Sequence, residues 1–224
     1  MNISDTTKSY VIDIETIPLP AEDRKYGAPT AETVKYGNIK DPVKRAEKLA
    51  QSIISWEAGT TCALKAEYGK IAMIGLQEVG KDEIEIFEGD GNEWQLLKEF
   101  WERIHGFTYT NMLIGHNLKS FDCPFIIRRS MINGIHNNAM RVVREATKAY
   151  NSDLIFDTMQ AYACGDRQTM IKLEILAQAL GIEVEPQEVT GKEFFKWWAK
   201  DKELCRKYLR NDIKMTKDVY KLMK

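Results

Sequence analysis

Three apolar runs, at residues 10–16, 71–79 and 83–87, precede the first strongly amphipathic helix. From there helices alternate with short apolar runs to the end of the chain. Strands joined by a tight turn pair antiparallel, whereas strands separated by a helix return parallel through a crossover. The order β-β-β-α-β-α-β-α therefore predicts an α/β domain on a mixed five-stranded sheet. An antiparallel meander is continued by parallel strands and flanked by helices. No linker divides the chain, so residues 1–224 are expected to form one domain, with a partly helical insertion at about 18–66.

The individual elements follow from local signals. Pro18 and Pro20 end the first strand. In the insertion, Asp41 and Pro42 form an N-cap and first-turn pair for a helix running to about Ser55. Gly80-Lys81-Asp82 is a turn between strands. A helix at about 93–104 carries Trp94, Leu97, Trp101 and Ile104 at three-to-four spacing. Residues 112–115 and 154–157 are short strands, 122–133 and 172–180 are helices, and the last helix begins near 200.

Composition narrows the classes. The chain has 224 residues with 32 Lys+Arg against 33 Asp+Glu, a net charge of −1, which excludes a polybasic coat but allows a local basic patch. Lys119, Arg128, Arg129, Arg141, Arg144 and Lys148 outnumber the acids between 117 and 150 and could meet phosphate there. No apolar run approaches the roughly 20 residues of a membrane span. The polar start at 1–9 carries no secretory signal. Four cysteines at 62, 123, 164 and 205 show no metal-ligand spacing, which suggests buried free thiols in a reducing, cytoplasmic compartment.

The informative residues are acids in apolar surroundings. Asp13 and Glu15 are two apart on a strand and share a face with Val11, while Ile12 and Ile14 line the other. Like charges side by side repel, and a divalent cation relieves them without a proton. An exposed edge strand would solvate them instead. Asp122 stands just after a buried strand at a helix start, where it fits an N-cap or a ligand off the carboxyl end of the sheet. On a helical wheel, Asp212 falls among Leu204, Tyr208, Met215, Val219, Leu222 and Met223, on the core-facing side. Lys207, Arg210, Lys214, Lys217 and Lys221 form the opposite, solvated face.

These pieces, in this order, resemble the DEDD family of 3′–5′ exonucleases, whose ribonuclease-H-like fold is shared with proofreading domains of DNA polymerases. The first family motif resembles Val11-Ile12-Asp13-Ile14-Glu15-Thr16. The second, Asn-x-x-x-Phe-Asp, matches Asn117 to Asp122, and the third, Tyr-x-x-x-Asp, matches Tyr208 to Asp212. Lys207 stands where a histidine variant would carry His, so the chain resembles the tyrosine subclass. His105, His116 and His136 then receive no catalytic role. The resemblance spans nearly the whole chain outside about 18–66 and is nearest to stand-alone relatives of proofreading domains.

It implies that Asp13, Glu15, Asp122 and Asp212 hold two Mg²⁺ or Mn²⁺ ions and that Tyr208 orients the attacking water. It implies that Thr16 contacts the terminal nucleotide and that Asn117 and Phe121 support the site and strand. The implied substrate is the 3′ end of DNA, single-stranded by preference, with nucleoside 5′-monophosphates as products. An exoribonuclease trimming short RNA, or an inactive nucleic-acid-binding domain, shares the same motifs. The implied partners are nucleic acid and a separate polymerase or replication protein, with no membrane.

Overall fold

The computed structural model describes residues 8–89, 91–148, 154–166 and 170–224, so the polar start at 1–7 and the end of the basic region at 149–150 lie outside the described residues. Its sheet contains β1 (Ser9–Pro18), β2 (Gly69–Glu78), β3 (Glu85–Glu88), β4 (Met112–Gly115) and β5 (Ile155–Asp157), in the order β3-β2-β1-β4-β5. β2 pairs antiparallel with β1 and β3, and β4 pairs parallel with β1 and β5. This is the expected meander continued by parallel strands. Around it lie α1 (Ala21–Arg24), α2 (Pro42–Glu57), α3 (Glu93–Arg103), α4 (Asp122–Ile132), α5 (Asn138–Ala146), α6 (Thr158–Ala163), α7 (Leu173–Ala179), α8 (Phe194–Trp198) and α9 (Lys202–Met223).

The two-residue period of β1 divides the core. Ile12 and Ile14 pack with Leu97, Phe100, Phe125 and Ile126 from α3 and α4. Val11 packs on the other side with Phe194, Leu209, Ile213 and Tyr220 from α8 and α9. Gly75 of β2 pairs with Asp13. A Cβ at Gly75 would lie 2.2 Å from Ile213 Cδ1, so its hydrogen side chain lets α9 approach the sheet.

Several expectations need correction. In α3 the buried stripe is Leu96, Leu97, Phe100 and Trp101, while Trp94 is 42% exposed at its margin. Leu222 also points outward, because the buried arc of α9 is centred on Cys205, Leu209, Ile213, Thr216 and Tyr220 as well as Tyr208. Cys164 is exposed in a left-handed backbone position after α6, unlike the buried Cys62, Cys123 and Cys205. The short helices α5, α6 and α8 were not anticipated.

The segment between β1 and β2 is held by caps on α2 and by a contact joining its two ends. Asp41 caps α2 by accepting from Val43 N (2.8 Å) and Lys44 N (3.2 Å). At the other end, the buried Arg24 donates to Trp56 O (2.5 Å) and Glu57 O (3.1 Å), placing a cation on the carbonyl end of the helix. Leu19 N donates to Tyr68 O at 2.9 Å, which joins the two ends of the insertion beside β1 and β2.

Arg129 is likewise withdrawn from any phosphate-binding patch. It is buried against Glu93 at 2.5 Å and donates to Ala66 O at 2.8 Å. Glu93 also accepts from Ile71 N at 2.7 Å and Asn133 Nδ2 at 3.0 Å. This network joins α3, α4, β2 and the segment that precedes β2 around one ion pair. Replacing Arg129 by Met strands the Glu93 carboxylate in the core, so it is expected to cost about 3–5 kcal/mol in denaturant unfolding. Exposed Arg128→Met should change stability by less than about 0.5 kcal/mol; equal small losses would contradict this role for the pair.

Candidate metal centre

The site forms where β4 stops short. Parallel pairing between β1 and β4 ends at Val11 and Ile114, and the chain turns away at Gly115. A Cβ at Gly115 would lie 2.8 Å from Leu118 Cβ and 3.1 Å from Ile12 O, so this turn is tight. Further along β1, the Ile14 N–H donates to Asp122 Oδ1 at 3.1 Å, where a longer β4 would have supplied a carbonyl. Asp122 is therefore the first residue of α4 and bonds across to β1, instead of capping its own helix.

The loop between them is organised by Asp157 at the end of β5. Its carboxylate accepts from Asn117 N (3.0 Å) and Lys119 N (2.9 Å), and also from Met159 N (3.0 Å) at the start of α6. Asn117 is held in the left-handed region at φ 59°. Asn tolerates that region better than most residues. Asp157 was missed in the sequence; an Asp closing a buried strand just before a helix was the available signal. His116 spans Thr158 Oγ1 (2.9 Å) and Ile171 O (2.8 Å), a structural role, and burial lowers its pKa.

Asp13 and Glu15 share a face of β1, and the register with β2 slips between Glu15 and Thr16. From α9, Asp212 lies one turn after Tyr208. Gln187 Nε2 donates to Asp212 Oδ1 at 3.0 Å, and the Tyr208 hydroxyl donates to the same carboxylate. Gln187 lies in an irregular segment with no periodic signal, so the sequence did not reveal it.

One carboxylate oxygen from each of Asp13, Glu15 and Asp212 lies within 4.8 Å of the others. Asp122 joins through Ile14, and its charge reaches Asp13. Thr16 is buried beside Glu15, and Phe121 packs on Phe125 at 5.5 Å between ring centres. The structure thus assembles the acids and Tyr208 and leaves Thr16, Asn117 and Phe121 as their flanking neighbours in the chain.

Burial, followed by neighbouring carboxylates, raises the pKa of Asp13 and Glu15 well above the ordinary range. Burial pushes Asp122 up to about 7 and Asp212 up to about 6. Burial and the charges of Glu15 and Asp212 also drive Tyr208 upward, so it remains protonated. Among the described residues no Lys, Arg or His forms an ion pair with any of the four acids. Convergent oxygen donors carrying uncompensated negative charge fit a hard divalent cation such as Mg²⁺ or Mn²⁺.

Fold and cluster together define an α/β domain with a cluster of carboxylates along its central strand. The chain belongs to the RNase_H superfamily, whose family model matches residues 61–223. That span contains Asp122, Tyr208 and Asp212 and begins after β1. The chain is 26% identical over 230 residues to DNA polymerase 2 of Aeropyrum pernix, covering 92% of this chain and 27% of the polymerase. The family B DNA polymerase from the hyperthermophilic archaeon Pyrobaculum calidifontis has a TM-score of 0.61 at 15% identity, covering 99% of this chain and 25% of that one. The likeness to the solved structure is one of fold. The chain spans about a quarter of the length of these polymerases. Among the described residues, no helix is long and apolar enough to cross a membrane.

The raised carboxyl pKa values have a thermodynamic consequence without metal. The folded chain binds those protons more tightly than the unfolded chain, whose carboxyls titrate near 4. The resulting stability is present at low pH and is lost as pH rises through about 6 to 7. In EDTA, the melting temperature is expected to fall between pH 5 and pH 8, and Asp212→Asn should make the fall shallower. Added Mn²⁺ at pH 8 should restore the melting temperature. Identical pH profiles for wild type and Asp212→Asn would contradict the reading.

Proposed function

We propose that this chain is a metal-dependent 3′–5′ exonuclease acting on DNA, single strands preferred, and releasing nucleoside 5′-monophosphates. The observation that carries the reading is the convergence of Asp13, Glu15 and Asp212 from a central strand and a distant helix, with Asp122 tied to the same strand. Similarity to two DNA polymerases supports a role in handling DNA. The described residues would act as one exonuclease domain, with the segment between β1 and β2 as an insertion.

Asp13, Glu15, Asp122 and Asp212 would hold two Mg²⁺ or Mn²⁺ ions. Such a pair, when bound, supplies Lewis-acid chemistry for an in-line displacement at phosphorus. The residues of the chain do the positioning. Protonated Tyr208 donates a hydrogen bond and is unsuited to act as a base, so its role is to orient water. Gln187 and Tyr208 together fix the Asp212 carboxylate. Thr16 would meet the terminal nucleotide, while Asn117 and Phe121 would support the site and the strand. Asp157 holds Asn117 through the backbone. Nucleic acid is the proposed partner, in a polymerase or replication context. The unpaired, buried Cys62, Cys123 and Cys205 support a reducing cytoplasm.

The test is cleavage of 5′-labelled single strands of DNA and of RNA under one set of conditions. Stepwise shortening from the 3′ end is expected with Mg²⁺ or Mn²⁺, faster for DNA, and none in EDTA or in Asp13→Ala. Tyr208→Phe should lower kcat about 10²-fold, a larger effect than its weakening of metal binding. Full activity in EDTA or in Asp13→Ala would refute the proposal; an RNA preference would reassign the substrate.

A further inference from the structure

The insertion builds a second feature that the carboxylate site does not use. Between its loop and α2 lies an open cleft of about 780 Å³. Its charged lining consists of Lys35, Lys48 and Lys65, with no acidic residue among the lining groups. None of these lysines forms an ion pair among the described residues. Its aromatic lining is Tyr26, Trp56 and Tyr68.

The rings divide by role. Trp56 is buried and meets Tyr68 edge-on at 4.8 Å, so it forms the floor. Gly27 lets the loop lie flush on that floor, since a Cβ there would fall 2.4 Å from the Tyr68 ring and 2.6 Å from Trp56. Tyr26 is different. The residue is 72% exposed, yet its hydroxyl donates to Glu67 O at 3.1 Å and its ring centre lies 5.4 Å from that of Tyr68. An exposed aromatic ring held in place by its polar end offers a preordered flat apolar face to solvent.

The cleft also sits along the right strand. Tyr68 immediately precedes Gly69, which pairs with Pro18 at the far end of β1. Five residues of extended strand separate Pro18 from Asp13, about 17 Å. That length of strand alone corresponds to about five nucleotides of stacked single strand, and the cleft lies beyond it.

We propose that this cleft is a second binding site for single-stranded nucleic acid, in which bases stack on Tyr26 and the backbone phosphates meet Lys35, Lys48 and Lys65. The ligand chemistry is a flat base together with a repeating anion. Stacking is tolerant of sequence, and lysines read phosphate without reading the base. The site deepens the exonuclease reading, on which it rests: it would retain the substrate strand upstream of the 3′ end presented to the acids. A short substrate would gain nothing from it, and a long one would gain affinity. Arg24 beneath the cleft, bound to the end of α2, keeps the insertion rigid enough for this role.

The test is fluorescence anisotropy of 5′-fluorescein-labelled dT15 with the full chain in EDTA, where hydrolysis does not intervene. Tyr26→Ala should weaken binding about tenfold, the loss of one stacked base. The triple change Lys35→Gln, Lys48→Gln and Lys65→Gln should weaken binding at least tenfold at low salt. It should also reduce the slope of log affinity against log salt by about 2, since each single-strand phosphate contact contributes about 0.7. Lys221→Gln, on the outer face of α9, serves as the charge control. Unchanged dT15 affinity in both cleft variants overturns the proposal, as does a matching loss in Lys221→Gln. Binding of a poly-glutamate peptide that the cleft substitutions abolish, with dT15 unaffected, overturns it in favour of an acidic protein segment. Hydrolysis of dT15 and dT3 with Mn²⁺ separates the two readings. In the variants, kcat/KM for dT15 should fall relative to that for dT3. If the wild type hydrolyses neither DNA nor RNA while the cleft variants still lose dT15 affinity, the exonuclease reading fails and the cleft stands.

Discussion

Negative charge at Asp13, Glu15, Asp122 and Asp212 is the constraint around which the surrounding structure is arranged. These groups are pulled from water and placed near one another, and both effects resist ionisation. A carboxylate cluster of this kind persists in a folded chain only when protons or cations neutralise it. No basic side chain of the described residues does so through an ion pair. The supporting contacts come from neutral donors: the Ile14 N–H, the Gln187 amide and the Tyr208 hydroxyl. Neutral donors orient carboxylates while leaving their charge available to a cation.

The rest of the fold serves that placement. The buried Glu93–Arg129 pair fixes α4, whose first residue is Asp122. Gly75 allows α9 to settle onto the sheet opposite Asp13, which brings Asp212 toward β1. Asp157 shapes the loop entering α4 from the neighbouring strand. Two distant parts of the chain, the start of α4 and the face of α9, are thus brought to one strand by a charge pair, a backbone-binding acid and a missing side chain.

Much of this was legible in the sequence because periodicity carries over directly into faces. The alternation along β1 assigned Val11, Asp13 and Glu15 to one side, and the wheel of α9 put Asp212 inward. The turn chemistry at Asp41 and Pro42 located α2. Periodicity gave less where the chain is short or irregular. The short helices α6 and α8 are less than two turns long, and Gln187 belongs to no regular element. Arg129 looked like part of a basic surface because a charged residue carries no sign of its partner; its place beside Glu93 depends on contacts across 36 residues. Trp94 followed the apolar spacing of its helix yet faces solvent, since the true stripe runs through Leu96 and Phe100. Tyr26 and Trp56 are both aromatic residues between β1 and β2, and only packing makes one exposed and the other buried.

The chemistry depends on whether the acids gather around divalent ions. Diffraction from a crystal soaked in Mn²⁺, recorded to show anomalous scattering, tests this most directly. Two anomalous peaks are expected, with carboxylate oxygens of Asp13, Glu15, Asp122 and Asp212 as ligands. Absence of any peak among these acids, under conditions in which the same protein shortens a DNA strand, would contradict it.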